Sequence, residues 1–172
     1  MSWIGGYMNI LVCTDLTELS ESVLTKAQEI AVATSAKLWI IHIVSPDQGF
    51  VGYEHAGLLQ MGVLEYQIES QSNSQDIRNF ISKKLHQHHQ KIQTISANIR
   101  EEGVDSTGLM LQGAIVETIL KQASKLKVDM IILGSKQHSF IHQCLLGSIS
   151  EEVVHNSHVP ILVVPTANNS RF

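Results

Sequence analysis

Phosphate binding is the chemistry that residue types and spacing first bring to mind. Gly134 closes the apolar run "VDMIILGS", Gly147-Ser148 opens the amphipathic run "SISEEVVHNS", and a polar, His-containing loop joins them. A glycine lets the backbone approach a ligand closely. The first turn of a helix presents unpaired N–H groups and a partial positive charge, both suited to phosphate oxygens. The hydroxyls of Ser148 and Ser150 can add hydrogen bonds. Ser148 and Glu151 have the Ser-x-x-Glu spacing of a capping box, which makes Ser148 the expected N-cap. The plainer alternative is that Gly147 only allows a tight turn into the helix, and pattern alone leaves both open.

Other chemistries find less support. The patterns G-x-x-x-x-G-K-S/T and G-x-G-x-x-G are both missing, which leaves a plain P-loop NTPase and a dinucleotide dehydrogenase unsupported. His86 and His89 stand at i, i+3 on a helix, His138 and His142 at i, i+4, and His155 is close to His158. Such pairs can bind zinc, but no Cys or carboxylate joins them at ligand spacing, so no metal site is expected. His88 falls on an apolar helix stripe and reads as a tolerated boundary residue. His138 and His142 lie in the loop between the two glycines; protonated, they would help to hold a polyphosphate at mildly acid pH. Cys13 and Cys144 are far apart and read as two reduced thiols. Cys144 beside His142 makes no nucleophile–base pair, paired carboxylates for glycoside chemistry are missing, and no G-x-S-x-G elbow is present.

The elements that must position these residues follow from periodicity. "MNILVCTD" (8–15), "KLWIIHIV" (37–44), "STGLMLQ" (106–112), "VDMIILGS" (128–135) and "VPILVVP" (159–165) read as strands. Helical spacing marks 17–35, where Thr17 or Ser20 can cap the start, and 113–127 and 148–157. It also marks 75–103, where Ile77, Ile81, Leu85, His88, Ile92, Ile95 and Ile99 recur at intervals of three and four and Gly103 is the natural stop. Residues 45–75 break every period, apart from a short helix possible in "HAGLLQMGVLEYQ". An excursion of that length reads as a functional or mobile loop. Strands apolar throughout, alternating with helices, imply an α/β fold with a parallel sheet covered on both faces. Ligands of such sheets sit beyond the carboxyl ends of the strands, here near Thr14-Asp15, Ile43-Val44, Gln112-Gly113 and Gly134-Ser135.

The totals agree with one globular domain over 1–172, with a core at 8–165 and a frayed tail at 166–172: 172 residues, 44% apolar. Residues 1–7 read as a short extension, with Met8 as an alternative start. The net charge is −4 and the Lys and Arg are scattered, so no nucleic-acid partner is expected. No apolar run approaches the length of a membrane helix and the N-terminus lacks signal-peptide features, which points to a cytoplasmic protein.

Gly134-Ser-Lys-Gln137, then nine residues, then Gly147-Ser148 resembles the signature of the universal stress protein family. "ILVCTDLTELSESVLTKAQEIA" resembles that family's opening strand, Asp and first helix. "LQGAIVETILKQASKLKVDMIILGS" resembles its Gly-x-Pro and Val-Asp region, with Ile115 where Pro is usual. "LLGSISEEVVHNSHVPILVVP" is the closest match. The resemblance implies a single-domain three-layer sandwich around a five-stranded parallel sheet in the order 3-2-1-4-5. It implies a homodimer formed through the 159–165 strand, and ATP or another adenine nucleotide, with Mg²⁺, as the ligand.

Residue by residue, the resemblance puts Thr14 and Asp15 near adenine and ribose, with Asp15 accepting from a ribose hydroxyl. Asp15 can equally cap the first helix, as Asp often does. Ile43 would pack near adenine, and Leu133 and Gly134 would floor the site. Gly147, Ser148, Ile149 and Ser150 would hold the phosphates, with His138 close by. Gln137 departs from the pattern, because the family's binders keep Gly there. A Gln offers a backbone N–H but adopts positive φ only at a cost of roughly 1–2 kcal/mol. The implied function is a stress-response dimer that binds ATP. The alternatives are an interaction dimer with the site blocked at Gln137 and 45–75 as its partner surface, or a slow ATPase using Asp15 through Mg²⁺.

Overall fold

The computed structural model describes residues 7–45, 74–136 and 147–166. The elements run β1 (Asn9–Cys13), a 3₁₀ turn (Glu18–Ser20), α1 (Glu21–Thr34), β2 (Lys37–Val44), α2 (Ser74–Glu101), β3 (Ser106–Gln112), α3 (Ile115–Lys125), β4 (Met130–Lys136), α4 (Ser148–Asn156) and β5 (Ile161–Thr166). The strands form one five-stranded parallel sheet in the order β3-β2-β1-β4-β5. This is the α/β fold that the alternation of apolar strands and helices requires.

Successive side chains of a strand face opposite sides, and both sides are apolar here. Ile10, Val12, Leu38, Ile40 and Ile132 pack with Val23, Ala27 and Ala31 of α1 and Ile92 and Ile99 of α2. Leu11, Ile41, Ile131 and Leu133 pack on the other side, with Ile119 and Ala123 of α3 and Val153 of α4. The sheet is thereby the middle of three layers, and the periodic stripes of the helices are their buried faces.

The order of strands fixes where a ligand can sit. From β1 the chain winds outward through β2 to β3; it then crosses back to β4 on the other flank of β1. The strand order reverses between β1 and β4, and a crevice opens beyond their carboxyl ends.

β2 and β3 fall on the expected bounds; other ends move by a few residues. β1 stops at Cys13, because Leu16 turns the chain with φ 61°. Gly103 follows α2 with φ 91° and its N–H bonds the Arg100 carbonyl, as expected of a helix stop. Thr166 is not part of a frayed tail: it ends β5, and its hydroxyl donates to the Ser135 carbonyl at 2.5 Å.

Two expected caps do not form. Neither Thr17 nor Ser20 makes a side-chain cap bond; both hydroxyls donate to Asp15 Oδ1, and Ser20 Oγ accepts from the Asp15 N–H at 3.3 Å. Ser148 is not the N-cap of α4. Gly147 takes that position with φ −61° and ψ 154°, its carbonyl accepts from the Glu151 N–H at 2.9 Å, and Ser148 is the first helical residue. The excursion lies outside the described residues save Ser45, which is buried, and Ser74 and Gln75, which begin α2. Residues 1–6 and 167–172 also lie outside them.

Candidate functional site

A cleft of about 580 Å³ lies at the carboxyl ends of β1, β2 and β4, within the usual range for small-molecule sites. It is lined by Thr14 and Asp15 after β1, Ile43 of β2, Leu133 and Gly134 of β4, and Gly147, Ser148, Ile149 and Ser150 of the α4 start. The structure thus brings together every site residue named from the sequence except two. Gln137 and His138 lie outside the described residues, as do His142 and Cys144.

The turn after β1 is fastened through its own polar groups. Thr14 is buried; its N–H donates to the Ile41 carbonyl at 3.0 Å and its Oγ1 accepts from the Leu16 N–H at 3.0 Å. Asp15 Oδ1 accepts from the Thr17 N–H at 3.0 Å, from the Thr17 hydroxyl at 2.6 Å and from the Ser20 hydroxyl. Asp15 therefore organises the turn ahead of α1 as an Asx-type acceptor rather than capping the helix itself. Asp15 also lines the cleft.

The two glycines prove to be different in kind. A Cβ on Gly134 would sit 2.9 Å from Thr166 Cγ2 and 3.1 Å from Val23 Cγ2, so this glycine is required by packing of β5 and α1 against β4. Gly147 has an ordinary φ of −61°, and a Cβ there would meet nothing within 4 Å among the described residues. Among the described residues, neither backbone strain nor packing demands a glycine at 147, which itself lines the cleft.

The serines of α4 also divide. Ser150 is buried and its hydroxyl donates to the Gly134 carbonyl at 3.1 Å, which ties the two ends of the 134–147 segment together. Ser148 is exposed on the cleft wall. Among the described residues no side chain caps α4, and its first residues line the cleft. The positive end of the helix makes this the anion-favouring side of the site.

Burial pushes the Cys13 thiol up to about 12, so the sulfur in the cleft wall stays protonated. His86, His89, His155 and His158 are all exposed. His88 is more than a boundary residue. Its Nδ1 lies 3.0 Å from Nε2 of His42, whose Nδ1 lies 3.0 Å from the Thr14 carbonyl. This pair lines the cleft and went unnoticed in the sequence. The signal for it was present, since a His in an otherwise apolar strand and a His on an apolar helix stripe both need a buried partner.

The universal stress protein family model matches residues 6–165. The chain belongs to the universal stress protein family. A universal stress protein of Methanocaldococcus jannaschii is 25% identical over 163 residues, covering 95% of this chain and 98% of that relative. The solved structure of that protein has a TM-score of 0.67, at 24% identity and with 95% and 99% of the two chains covered. A universal stress protein solved in complex with cAMP has a TM-score of 0.59 at 21% identity, covering 95% of this chain and 100% of its own. One from Archaeoglobus fulgidus, in complex with dAMP, has a TM-score of 0.55 at 19% identity, covering 91% and 97%. At these identities the structures share the universal stress protein fold with this chain.

Proposed function

We propose that this universal stress protein binds an adenine nucleotide in the β1/β4 cleft and acts as a cytoplasmic stress-response homodimer that reports nucleotide occupancy. The observation that carries the reading is the pairing of opposite ends at one crevice. A carboxylate able to accept from ribose hydroxyls, Asp15, stands on one side; the N-terminus of α4, which no described side chain caps and where a Cβ at Gly147 would meet no described atom, stands on the other. Thr14 and Ile43 would flank the base, Leu133 and Gly134 would floor the site, and the N–H groups of 147–150 with the Ser148 hydroxyl would hold phosphates. Ser150 would act through its backbone, its hydroxyl proton being committed to Gly134. Adenine-nucleotide complexes of family members sharing this fold support the same ligand class.

ATP is the ligand we favour, with Mg²⁺ between its phosphates, and His138 and Gln137 beside them. Dimerisation is assigned to β5, the sheet's outer strand, whose Ile161, Leu162 and Val163 are only half-buried in one chain. Among the described residues no helix is long and apolar enough to cross a membrane.

The test is to identify any nucleotide that co-purifies, then to titrate ATP, AMP and cAMP calorimetrically with and without Mg²⁺. Saturable binding of at least one supports the reading, and no binding at millimolar concentration refutes it in favour of a nucleotide-independent dimer. Replacing Gln137 by Gly should tighten ATP binding, because glycine takes up positive φ without the penalty; unchanged affinity would remove position 137 from the site.

A further inference from the structure

We infer that His88 is a positioning residue of the nucleotide site, acting through His42 on the Thr14 carbonyl and so on the turn that carries Asp15. The inference rests on the nucleotide reading above and adds to it a residue on a helix that no glycine signature includes.

Donor and acceptor roles in the pair follow from chemistry. His42 is 8% exposed, within the apolar strand β2. Its Nδ1 faces the Thr14 carbonyl at 3.0 Å, and a carbonyl only accepts, so Nδ1 carries the proton. A neutral His42 then has an unprotonated Nε2. The group 3.0 Å from it, His88 Nδ1, must be the donor. The bonds run in one direction, from His88 to His42 to Thr14, with the rings edge-on at 77° and their centroids 4.9 Å apart. Each bond fixes the tautomer that the next one needs.

The neutral form is the one the surroundings favour. His88 faces His42 from β2 and, on its own helix, Lys84 and Lys91; Asp15 lines the same cleft from the β1 turn. Burial first, then the electrostatic influence of His42 and of the Lys84 and Lys91 ammonium groups, holds His88 below the usual histidine range.

What the chain of bonds holds is a turn under strain. Leu16 sits at φ 61°, a region that costs an ordinary residue roughly 1–2 kcal/mol. Such a conformation persists only where the surroundings over-determine it. α2 supplies two of the restraints: His88 reaches the carbonyl before Asp15 through His42, and Lys91 Nζ donates to the Leu16 carbonyl after Asp15 at 2.6 Å. The carboxylate is thereby set between two carbonyls that are both held from the same helix.

The experiment compares His88→Asn with His88→Leu. The Asn amide nitrogen stands where Nδ1 stood and keeps a donor for His42, while Leu removes it. Calorimetric titration of AMP should show His88→Leu weaker by about tenfold, the factor one net hydrogen bond is worth, with His88→Asn restored towards wild type. Amide hydrogen exchange without nucleotide reads the turn directly. The N–H groups of Asp15, Leu16 and Thr17 all donate within it, and they should exchange faster in His88→Leu than in His88→Asn. Equal affinities together with equal exchange in the two variants would overturn the inference. Absence of binding of AMP, ATP and cAMP alike to wild type would refute the nucleotide reading instead, and the exchange comparison would still decide whether His88 holds the turn.

Discussion

Gly134 and Gly147 bracket the same loop, yet the structure predicts opposite consequences for the same substitution. In Gly134→Ala the new methyl meets Thr166 Cγ2 at 2.9 Å and Val23 Cγ2 at 3.1 Å, well inside the optimum carbon–carbon separation of about 3.5–4.0 Å. Neither neighbour can step aside. Val23 is fully packed in the core, and the Thr166 rotamer is pinned by its 2.5 Å bond to the Ser135 carbonyl. Overpacking of this kind costs about 1–3 kcal/mol. For a chain of this length that lowers Tm by about 2–4 °C per kcal/mol, hence by several degrees. In Gly147→Ala the methyl meets no described atom and φ is already helical in sign. The loss of a good N-cap and the gain from a stiffer unfolded chain are each below about 1 kcal/mol and oppose one another, so Tm should hardly move. Its effect should appear in nucleotide affinity, since the methyl occupies the space assigned to phosphate; a loss of about tenfold corresponds to 1.4 kcal/mol. Thermal denaturation without nucleotide and calorimetric titration of both variants form the assay. An unchanged Tm in Gly134→Ala would refute the packing argument. Unchanged affinity in Gly147→Ala would refute the cradle.

Three further outcomes follow from other parts of the molecule. His88 titrates below its ordinary value in the fold, so the unfolded chain binds the proton more readily; its contribution to stability is complete above about pH 6.5 and is lost as pH falls through the folded value. Wild type should therefore lose more Tm between pH 7.5 and 5.5 than His88→Asn, and parallel curves would contradict this. With its thiol raised to about 12, Cys13 in a Cys144→Ser background should react with iodoacetamide at pH 8 about a thousandfold more slowly in the native state than in urea. Val163→Lys on β5 should give a monomer by sedimentation without loss of fold, because Val163 belongs to neither core cluster; a persisting dimer would place the interface elsewhere.

Much of the fold was legible because its signals are local. A run such as "KLWIIHIV" is apolar on both faces and nothing in it favours a helix, so β2 appears on its expected bounds. The ends were harder where a polar side chain had a choice of partner. Ser20 and Thr17 look like caps in sequence, but both side chains turn to Asp15 instead of to the helix N–H groups. In the sequence Gly134 suggests room for a ligand, whereas the atoms that demand it, on Val23 and Thr166, lie far away in the chain. The His42–His88 bond spans 46 residues and the His42–Thr14 bond 28, separations that no local period can encode.

These long-range bonds bear on how the site would bind. Ser150 to Gly134 and Thr166 to Ser135 fasten the two ends of the loop to one another and to the sheet, while the His pair and Lys91 fasten the opposite wall. Both walls are held by protein atoms alone, so a nucleotide would not have to order them on binding. Ordering costs are the main reason that buried area fails to convert into affinity, and a prefixed frame avoids them. The same frame explains why Ser150, which the signature presents as a phosphate ligand, is better understood as a bolt. With its proton committed to Gly134, donation to phosphate falls to backbone N–H groups and to Ser148. Those donors are geometrically fixed by α4, which is the condition under which a helix N-terminus selects for an anion.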